Sequence, residues 1–214
     1  MNTKESITDA YNRVAKGYTE TFWNELDRKP FDRMILSWFA TQIPAGETIL
    51  EIGCGPGEVS GFLTRAGVKC IATDLSEEMI ENGKKVFPQV QFDVQDFFHL
   101  TYVEESFFGV AGFYATVNLV LDEIEMVLAE VKRVLKHGGL FLFSFHIFEG
   151  EEKIEVNEFL DQDIHTLTFY FFKVDDVITL LESAGYQICD ILIRYPYQDV
   201  EYQSKRAYFV VKKP

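Results

Sequence analysis

A glycine-rich run is the part of this 214-residue chain whose residue types and spacing most clearly permit chemistry. Gly53-Cys54-Gly55-Pro56-Gly57 follows the apolar run 48–52 directly, and a helical pattern begins at Glu58. Glycines allow a tight turn from strand to helix and let a ligand touch the backbone, while the start of the helix adds free N–H donors. This arrangement predicts a site for a nucleotide-type ligand.

The spacing after the turn separates two classes of ligand. A dinucleotide fingerprint that starts at Gly53 requires glycine at position 58, where Glu58 stands. One that starts at Gly55 requires glycine or alanine at position 60, where Ser60 stands. Glu58 would also repel a pyrophosphate from the first turn of the helix. A nucleoside that carries no phosphate, such as S-adenosylmethionine, meets no such repulsion.

Carboxylates at two later strand ends complete the predicted nucleoside pocket. Asp74 closes the second predicted strand, where a carboxylate can accept hydrogen bonds from both ribose hydroxyls. Asp96 ends the third predicted strand and is followed by Phe97, and Asp93 is the competing candidate. Asp96 could accept from an adenine amino group while an aromatic ring or Met79 covers the base.

The composition excludes several kinds of partner. The formal net charge is −14, which argues against DNA, RNA or anionic lipid, because phosphate binding needs clustered Lys and Arg. Three cysteines lie far apart and show neither zinc spacing nor a disulfide framework. The first ten residues lack the apolar segment of a signal peptide. We therefore expect a soluble, cytoplasmic monomer or homodimer that uses no metal and acts on a small molecule.

The elements that must position these residues alternate along the chain. Apolar strand patterns predict strands at 48–52, 68–73, 90–94, 108–115 and 139–146, and helical patterns between them predict helices at 58–66, 76–87 and 122–136. This alternation predicts an α/β fold of Rossmann-like type, with a doubly wound, mostly parallel sheet and helices on both faces.

The remaining segments predict an extension and a C-terminal addition to this single domain. Helices are predicted at 6–26 and 30–42, so that residues 1–44 form an N-terminal lid ahead of the cofactor-binding core 45–146. The acidic stretch 149–163 predicts a surface excursion, which with a strand at 164–172 forms a substrate-side insertion at 147–172. In 173–214 we predict a helix at 173–184 and an antiparallel strand pair, 186–195 and 206–212, because their short connection disfavours a crossover.

Four motifs together resemble the class I S-adenosylmethionine-dependent methyltransferases over residues 45–146: EIGCGPG, ATDLSEEMI, VQFDVQDF and EVKRVLKHGGLFLFSFH. The C-terminal run that starts at Arg194-Tyr195-Pro196-Tyr197 is similar to a signature of a bacterial small-molecule subset. The resemblance implies a cofactor site, whose predicted residues are Glu51, Gly53, Cys54, Gly55, Gly57, Asp74, Leu75, Met79, Asp96 and Phe97. In it the glycine turn cradles the methionine part, Glu51 reaches its amino group, Asp74 holds the ribose, and the last three residues surround the adenine.

Further candidates lie outside the glycine turn. The resemblance implies that Tyr11 and Tyr18, on one face of the first helix, cover the cofactor, although simple packing is the alternative. His146 follows the fifth strand and could act as a general base. We predict that Tyr170 and Arg194 contact the substrate, although an ion pair within the chain is the alternative for Arg194.

The predicted reaction is methyl transfer from S-adenosylmethionine to an oxygen or nitrogen atom of a small molecule. Two alternatives stay open from sequence. A subunit that binds S-adenosylmethionine without catalysis would show the same motifs, because alignment of the reactants alone can supply much of the catalysis. A nicotinamide-dependent oxidoreductase would share the first strand, the glycine turn and Asp74, but Glu58 argues against it.

Overall fold

The computed structural model describes residues 2–214. The helices are α1 (Lys4–Phe22), α2 (Pro30–Gln42), α3 (Glu58–Arg65), α4 (Glu77–Val86), α5 (Leu121–Val134) and α6 (Val174–Ser183), with a short 3₁₀ helix at Glu25–Arg28. The strands are β1 (Thr48–Ile52), β2 (Lys69–Asp74), β3 (Gln91–Val94), β4 (Phe107–Phe113), β5 (Leu135–His146), β6 (Lys153–Phe159), β7 (Gln162–Tyr170), β8 (Gln187–Arg194) and β9 (Arg206–Lys212).

Seven strands form one sheet in the order β3-β2-β1-β4-β5-β9-β8. The pairs from β3 to β5 are all parallel, whereas β9 lies antiparallel between β5 and β8. The predicted fold class is therefore confirmed, including the antiparallel C-terminal strand. Because β1, β2 and β4 run in the same direction, their carboxyl ends meet at one edge of the sheet, which is where such folds bind ligands.

Apolar side chains bury both faces of this sheet. On one face α5 and α6 pack through residues such as Leu128, Val131 and Leu181 against the central strands. On the other face α2 and α3 pack through Phe39 and Leu63. Each fully buried side chain of this size contributes roughly 1.5–3 kcal/mol, so the sheet is a rigid support for the residues at its edge. No helix within residues 2–214 is long and apolar enough to cross a membrane.

The stretch 149–163, predicted as a surface excursion, contains a strand that the sequence did not predict, because β6 runs through it and forms a two-stranded antiparallel sheet with β7. Residues Ile154 and Val156 alternate with exposed polar side chains, as in a strand with one solvated face. A register shift between Val156 and Glu158 interrupts this alternation, which hides the pattern in the sequence. The hairpin packs on α1 through Ile164 and Leu167.

Candidate functional site

A cavity of about 200 Å³ lies at the carboxyl edge of β1, β2 and β4, and α1 forms one of its walls. Most of the predicted cofactor residues line it: Tyr11, Tyr18, Glu51, Gly53, Cys54, Gly55, Asp74, Leu75, Met79, Asp96 and Phe97. Gly57 supports the turn from behind and does not line the cavity. The topology therefore collects residues that are far apart in sequence into one enclosed space.

The glycine turn has a conformation that other residues adopt with strain. Gly53, Gly55 and Gly57 have φ values of +57°, +53° and +84°. A Cβ atom on Gly53 would lie 2.8 Å from the Cβ of Ala115, and one on Gly57 would lie 2.6 Å from the ring of Phe92. At Gly53 and Gly55 the backbone of the turn consequently lines the cavity without any side chain, as close contact with a ligand requires.

Asp74 links this turn to the start of α4. Its Oδ2 accepts a hydrogen bond from the backbone N–H of Gly55 at 2.8 Å, and its Oδ1 accepts from the N–H of Ser76 at 2.9 Å. The Ser76 hydroxyl caps α4 by accepting from the N–H of Met79 and donates to Asn12 Oδ1 of α1 at 2.6 Å. Burial raises the pKa of Asp74, so the carboxylate gains from a ligand that donates hydrogen bonds to it.

Two buried carboxyl groups make one end of the cavity acidic. Glu51 is 3% exposed, its Oε2 accepts from the N–H of Ser60 at 2.8 Å, and burial raises its pKa to about 8. Burial is the largest cause that raises the pKa of Glu58 well above its usual value, and the nearby Glu25 raises it further. Within residues 2–214, the buried Oε2 of Glu58 has no hydrogen-bond partner. A positively charged group here would satisfy this atom and favour the ionised carboxylates, which fits the ammonium group of S-adenosylmethionine.

Elsewhere the cavity lining combines a carboxylate with apolar side chains. Asp96 accepts from the backbone N–H of Phe98 at 2.9 Å and pairs with Nζ of Lys4 at 2.6 Å. Met79 is 1% exposed and lines the same space. Asp93, the competing candidate, accepts from the Tyr102 hydroxyl at 2.6 Å and is not among the lining residues. A carboxylate beside apolar side chains suits the adenine part of a nucleoside.

Helix α1 closes the cavity through its two tyrosines. The Tyr11 hydroxyl donates to Oδ1 of Asn118 at 2.8 Å, and Nδ2 of Asn118 donates to the carbonyl of Thr168 on β7 at 2.9 Å. The ring of Tyr18 comes within 3.6 Å of the position that a Cβ on Gly55 would occupy. Burial raises the pKa of both phenols, which keeps them neutral. The loop after β4 thus ties the first helix to the hairpin above the cavity.

Sequence reasoning missed several residues of the cavity wall: Glu25, Lys29, Asp32, Tyr114 and Asn118, as well as the role of Glu58 in it. Tyr114 follows β4 and has a φ of +55°, which is rare and strained for a large side chain. Its position after a parallel strand at the ligand-binding edge is the one signal that could have found it. The others carry no such pattern.

Besides Gly57, three predicted residues do not line this cavity, namely His146, Tyr170 and Arg194. His146 stacks on Tyr114 with ring centroids 5.2 Å apart, and its Nδ1 lies 2.7 Å from the Ser204 hydroxyl. Burial and the nearby Arg206 lower the pKa of His146 to about 3, so it is a weak base that touches the site only through Tyr114.

Tyr170 and Arg194 are held by the protein itself. The backbone N–H of Tyr170 donates to the carbonyl of Val117 at 2.7 Å. Arg194 is 8% exposed and pairs with Asp32 at 2.9 Å, and it also pairs with Glu201, which was the alternative considered from sequence. The guanidinium therefore faces carboxylates of its own chain.

The fold and the cavity together define a Rossmann-like protein whose cavity suits a nucleoside bearing positive charge. Comparisons with known proteins agree with this class. The profile of a family described as a methyltransferase domain matches residues 49–139. The region that matches runs from β1 to the start of β5 and contains the glycine turn, Asp74 and Asp96.

Relatives and solved structures extend the likeness beyond this region. The chain is 23% identical to YqeM of Bacillus subtilis, which is provisionally named a methyltransferase, over 94% of this chain and 97% of that protein. It is 26% identical to a malonyl-[acyl-carrier protein] O-methyltransferase of Hamiltonella defensa, over 90% of this chain and 72% of the other. A Methanosarcina mazei structure described as an S-adenosylmethionine-dependent methyltransferase superposes with a TM-score of 0.72 at 16% identity, covering 81% of this chain and 95% of the other. Residues 49–139 therefore form a methyltransferase domain, and the chain has the fold of the class I S-adenosylmethionine-dependent methyltransferases.

Proposed function

We propose that this enzyme transfers the methyl group of S-adenosylmethionine to an oxygen or nitrogen atom of a small molecule. The observation that carries the proposal is one cavity whose lining residues form two groups, which define its two parts. The glycine turn and Asp74 form a nucleoside part, and Lys29, Asp32 and Tyr114 line a second, polar part. A cofactor in the first part would present its methyl group to an acceptor in the second.

Each part of the cavity has a defined task in this proposal. Asp74 would hold the ribose, Asp96 and Met79 the adenine, and Glu51 with Glu58 the ammonium group. The cofactor supplies an electrophilic methyl carbon when it is bound. The protein contributes alignment of the acceptor and exclusion of water, and alignment of reactants alone can lower a barrier by about 7–11 kcal/mol.

Enclosure and charge support a small acceptor. Helix α1 packs on α4 and on β7, and its contacts through Tyr11 and Asn12 close the space over the glycine turn. The net charge of −14 opposes a nucleic acid substrate. We accordingly propose that residues 1–44 act as a lid and that 147–172 form the substrate-side wall. We also propose that 45–146 are the cofactor-binding core of a single domain completed by 173–214, in a cytoplasmic monomer or homodimer.

Calorimetry and product analysis test the proposal in sequence. S-adenosylmethionine and S-adenosylhomocysteine should bind to the purified protein, and NAD should not. Incubation with S-adenosylmethionine and a set of phenols, amines, thiols and carboxylates should then yield a methylated product by mass spectrometry. Binding of NAD in place of the adenosyl ligands would refute the cofactor site. Tight cofactor binding with no product from any acceptor class would favour a non-catalytic subunit.

A further inference from the structure

Three polar side chains at the second part of the cavity form a continuous hydrogen-bonded row. The hydroxyls of Tyr114 and Tyr208 lie 3.2 Å apart, and the Tyr208 hydroxyl donates to Oδ1 of Asp32 at 2.7 Å. Tyr114 and Asp32 both line the cavity, whereas Tyr208 is fully buried between them. The row therefore begins and ends at the cavity and passes through the protein interior.

The direction of each hydrogen bond follows from counting protons. Tyr208 has a single hydroxyl proton, which it donates to Asp32, and its oxygen accepts from Nε of Arg194 at 2.9 Å. Tyr114 must then donate its own proton to Tyr208, because Tyr208 has none left to give. Among residues 2–214 no other group donates to the Tyr114 hydroxyl oxygen, which leaves its lone pairs free to accept a hydrogen bond.

The backbone and the aromatic neighbours hold Tyr114 in this position. Its φ of +55° is maintained by hydrogen bonds from its N–H to the carbonyl and hydroxyl oxygens of Ser144, at 3.2 and 3.3 Å. His146 stacks on one side of the ring. Strained backbone of this kind persists where the surroundings over-determine it, and it is frequent at active sites.

We propose that Tyr114, Tyr208 and Asp32 are a proton relay that takes the proton from a hydroxyl or N–H acceptor during methylation. This inference rests on the proposed function and names its acceptor class, since thiolates, carboxylates and tertiary amines have no proton to give. The new O–CH₃ or N–CH₃ bond forms as the C–S bond breaks, and the electron pair of that bond stays on sulfur. The acceptor's proton moves to Tyr114, that of Tyr114 moves to Tyr208, and that of Tyr208 moves to Asp32.

The relay suits phenols that resist ionisation. Burial is the main cause that raises the pKa of both Tyr114 and Tyr208, so neither can store a negative charge at neutral pH. In the relay each phenol gains one proton as it loses another and stays neutral. The proton ends on Asp32, which lines the cavity and can release it after the product leaves.

The charges around Asp32 balance before the proton arrives. The titratable and charged groups that face the relay from the surrounding elements are Glu25, Lys29, His146, Arg194, Glu201 and Arg206. Three cations thus oppose three carboxylates including Asp32, and His146 is neutral because burial lowers its pKa to about 3. A proton on Asp32 adds one positive charge, and the cofactor loses its positive charge in the same reaction. The total charge around the cavity therefore stays constant.

Equilibrium binding tests the free lone pair of Tyr114 without turnover. With S-adenosylhomocysteine bound, phenol should bind about 2- to 12-fold more tightly than anisole, the range of one net hydrogen bond. Tyr114→Phe should erase this preference. Tyr186→Phe is the matched control, because Tyr186 is buried and donates to the carbonyl of Leu128 away from the cavity. Equal binding of both probes to the native protein, or a preference that survives Tyr114→Phe, would overturn the assignment.

The pH dependence of methylation tests the relay itself. Tyr208→Phe keeps the ring but breaks the hydrogen-bonded row, so the rate of phenol methylation should fall at least about tenfold at pH 7. The rate of this variant should then rise about tenfold per pH unit, because the phenol must lose its proton to the solvent before it reacts. The native enzyme and Tyr186→Phe should show a flatter profile. Thermal unfolding and S-adenosylhomocysteine affinity check that the variant is folded. A Tyr208→Phe enzyme with native rate and profile would overturn the relay. Products from carboxylates alone would overturn the relay while the proposed methyl transfer to oxygen stood, whereas products from thiols alone would overturn both.

Discussion

Replacing Glu51 by glutamine should make the folded protein less sensitive to rising pH. Glu51 is 3% exposed, and burial raises its pKa to about 8, whereas its usual value is 4.5. Between these two values the unfolded chain holds fewer protons at this position than the folded chain. The free energy of unfolding of the native protein therefore falls as pH rises through this window. Glutamine mimics the protonated acid and can still accept the hydrogen bond from Ser60.

The size of the effect follows from the two pKa values. One pKa unit corresponds to about 1.36 kcal/mol. Above pH 8 the free energy of unfolding of Glu51→Gln should therefore exceed that of the native protein by at most about 5 kcal/mol. Below about pH 4.5 the two proteins should be equally stable. Urea unfolding at intervals from pH 5 to 9 measures the difference, and titrations common to both proteins cancel in it.

A control of opposite sign sharpens this measurement. The ion pair with Arg133 lowers the pKa of Glu130, so this carboxylate adds stability that is present at neutral pH and lost as the pH falls. Glu130→Gln should therefore be less stable than the native protein at pH 8, while Glu51→Gln is more stable. A Glu51→Gln difference that stays constant with pH, or that has the sign of Glu130→Gln, would refute the reasoning about burial.

Three further predictions concern the ligand. Asp74→Ala should weaken S-adenosylhomocysteine binding by about 10- to 150-fold, the range for lost hydrogen bonds to a charged group, and an unchanged Kd in a folded variant would show that Asp74 only orders Gly55 and Ser76. Binding of S-adenosylmethionine at pH 6–7 should release protons, because a cation lowers the pKa of Glu51. Calorimetry in buffers of different ionisation enthalpy measures the number of protons released. Proton release that persists unchanged in Glu51→Gln would contradict this prediction. Residues 5–25 should gain protection from hydrogen exchange when S-adenosylhomocysteine binds, whereas equal protection in both states would mean that this helix is ordinary packing.

Local patterns were sufficient to predict most residues that line the cavity beside the glycine turn. Gly53, Gly55 and Gly57 adopt positive φ values that glycine tolerates best, and this requirement is visible in sequence because no long-range partner is needed to create it. Asp74 and Asp96 could be placed because the carboxyl ends of neighbouring parallel strands meet at one edge. The order of strands and helices followed from periodicity for the same reason. Strand β6 of the hairpin was not predicted, because a register shift breaks the alternation of apolar and polar residues along it.

The polar part of the cavity lining that contains Asp32 and Tyr114 was decided by tertiary structure alone. Asp32, Tyr114 and Tyr208 lie on α2, after β4 and on β9, and no spacing in the chain links them. They meet because β9 inserts beside β5 and α2 packs across it, a consequence of burying both faces of the sheet. The elevated pKa of Glu51 likewise needs the finished fold, since removal of water from a carboxyl group depends on everything that surrounds it. Apart from β6, the sequence by itself determines which segments are strands, helices and glycine turns, and packing determines which polar groups are left facing the cavity.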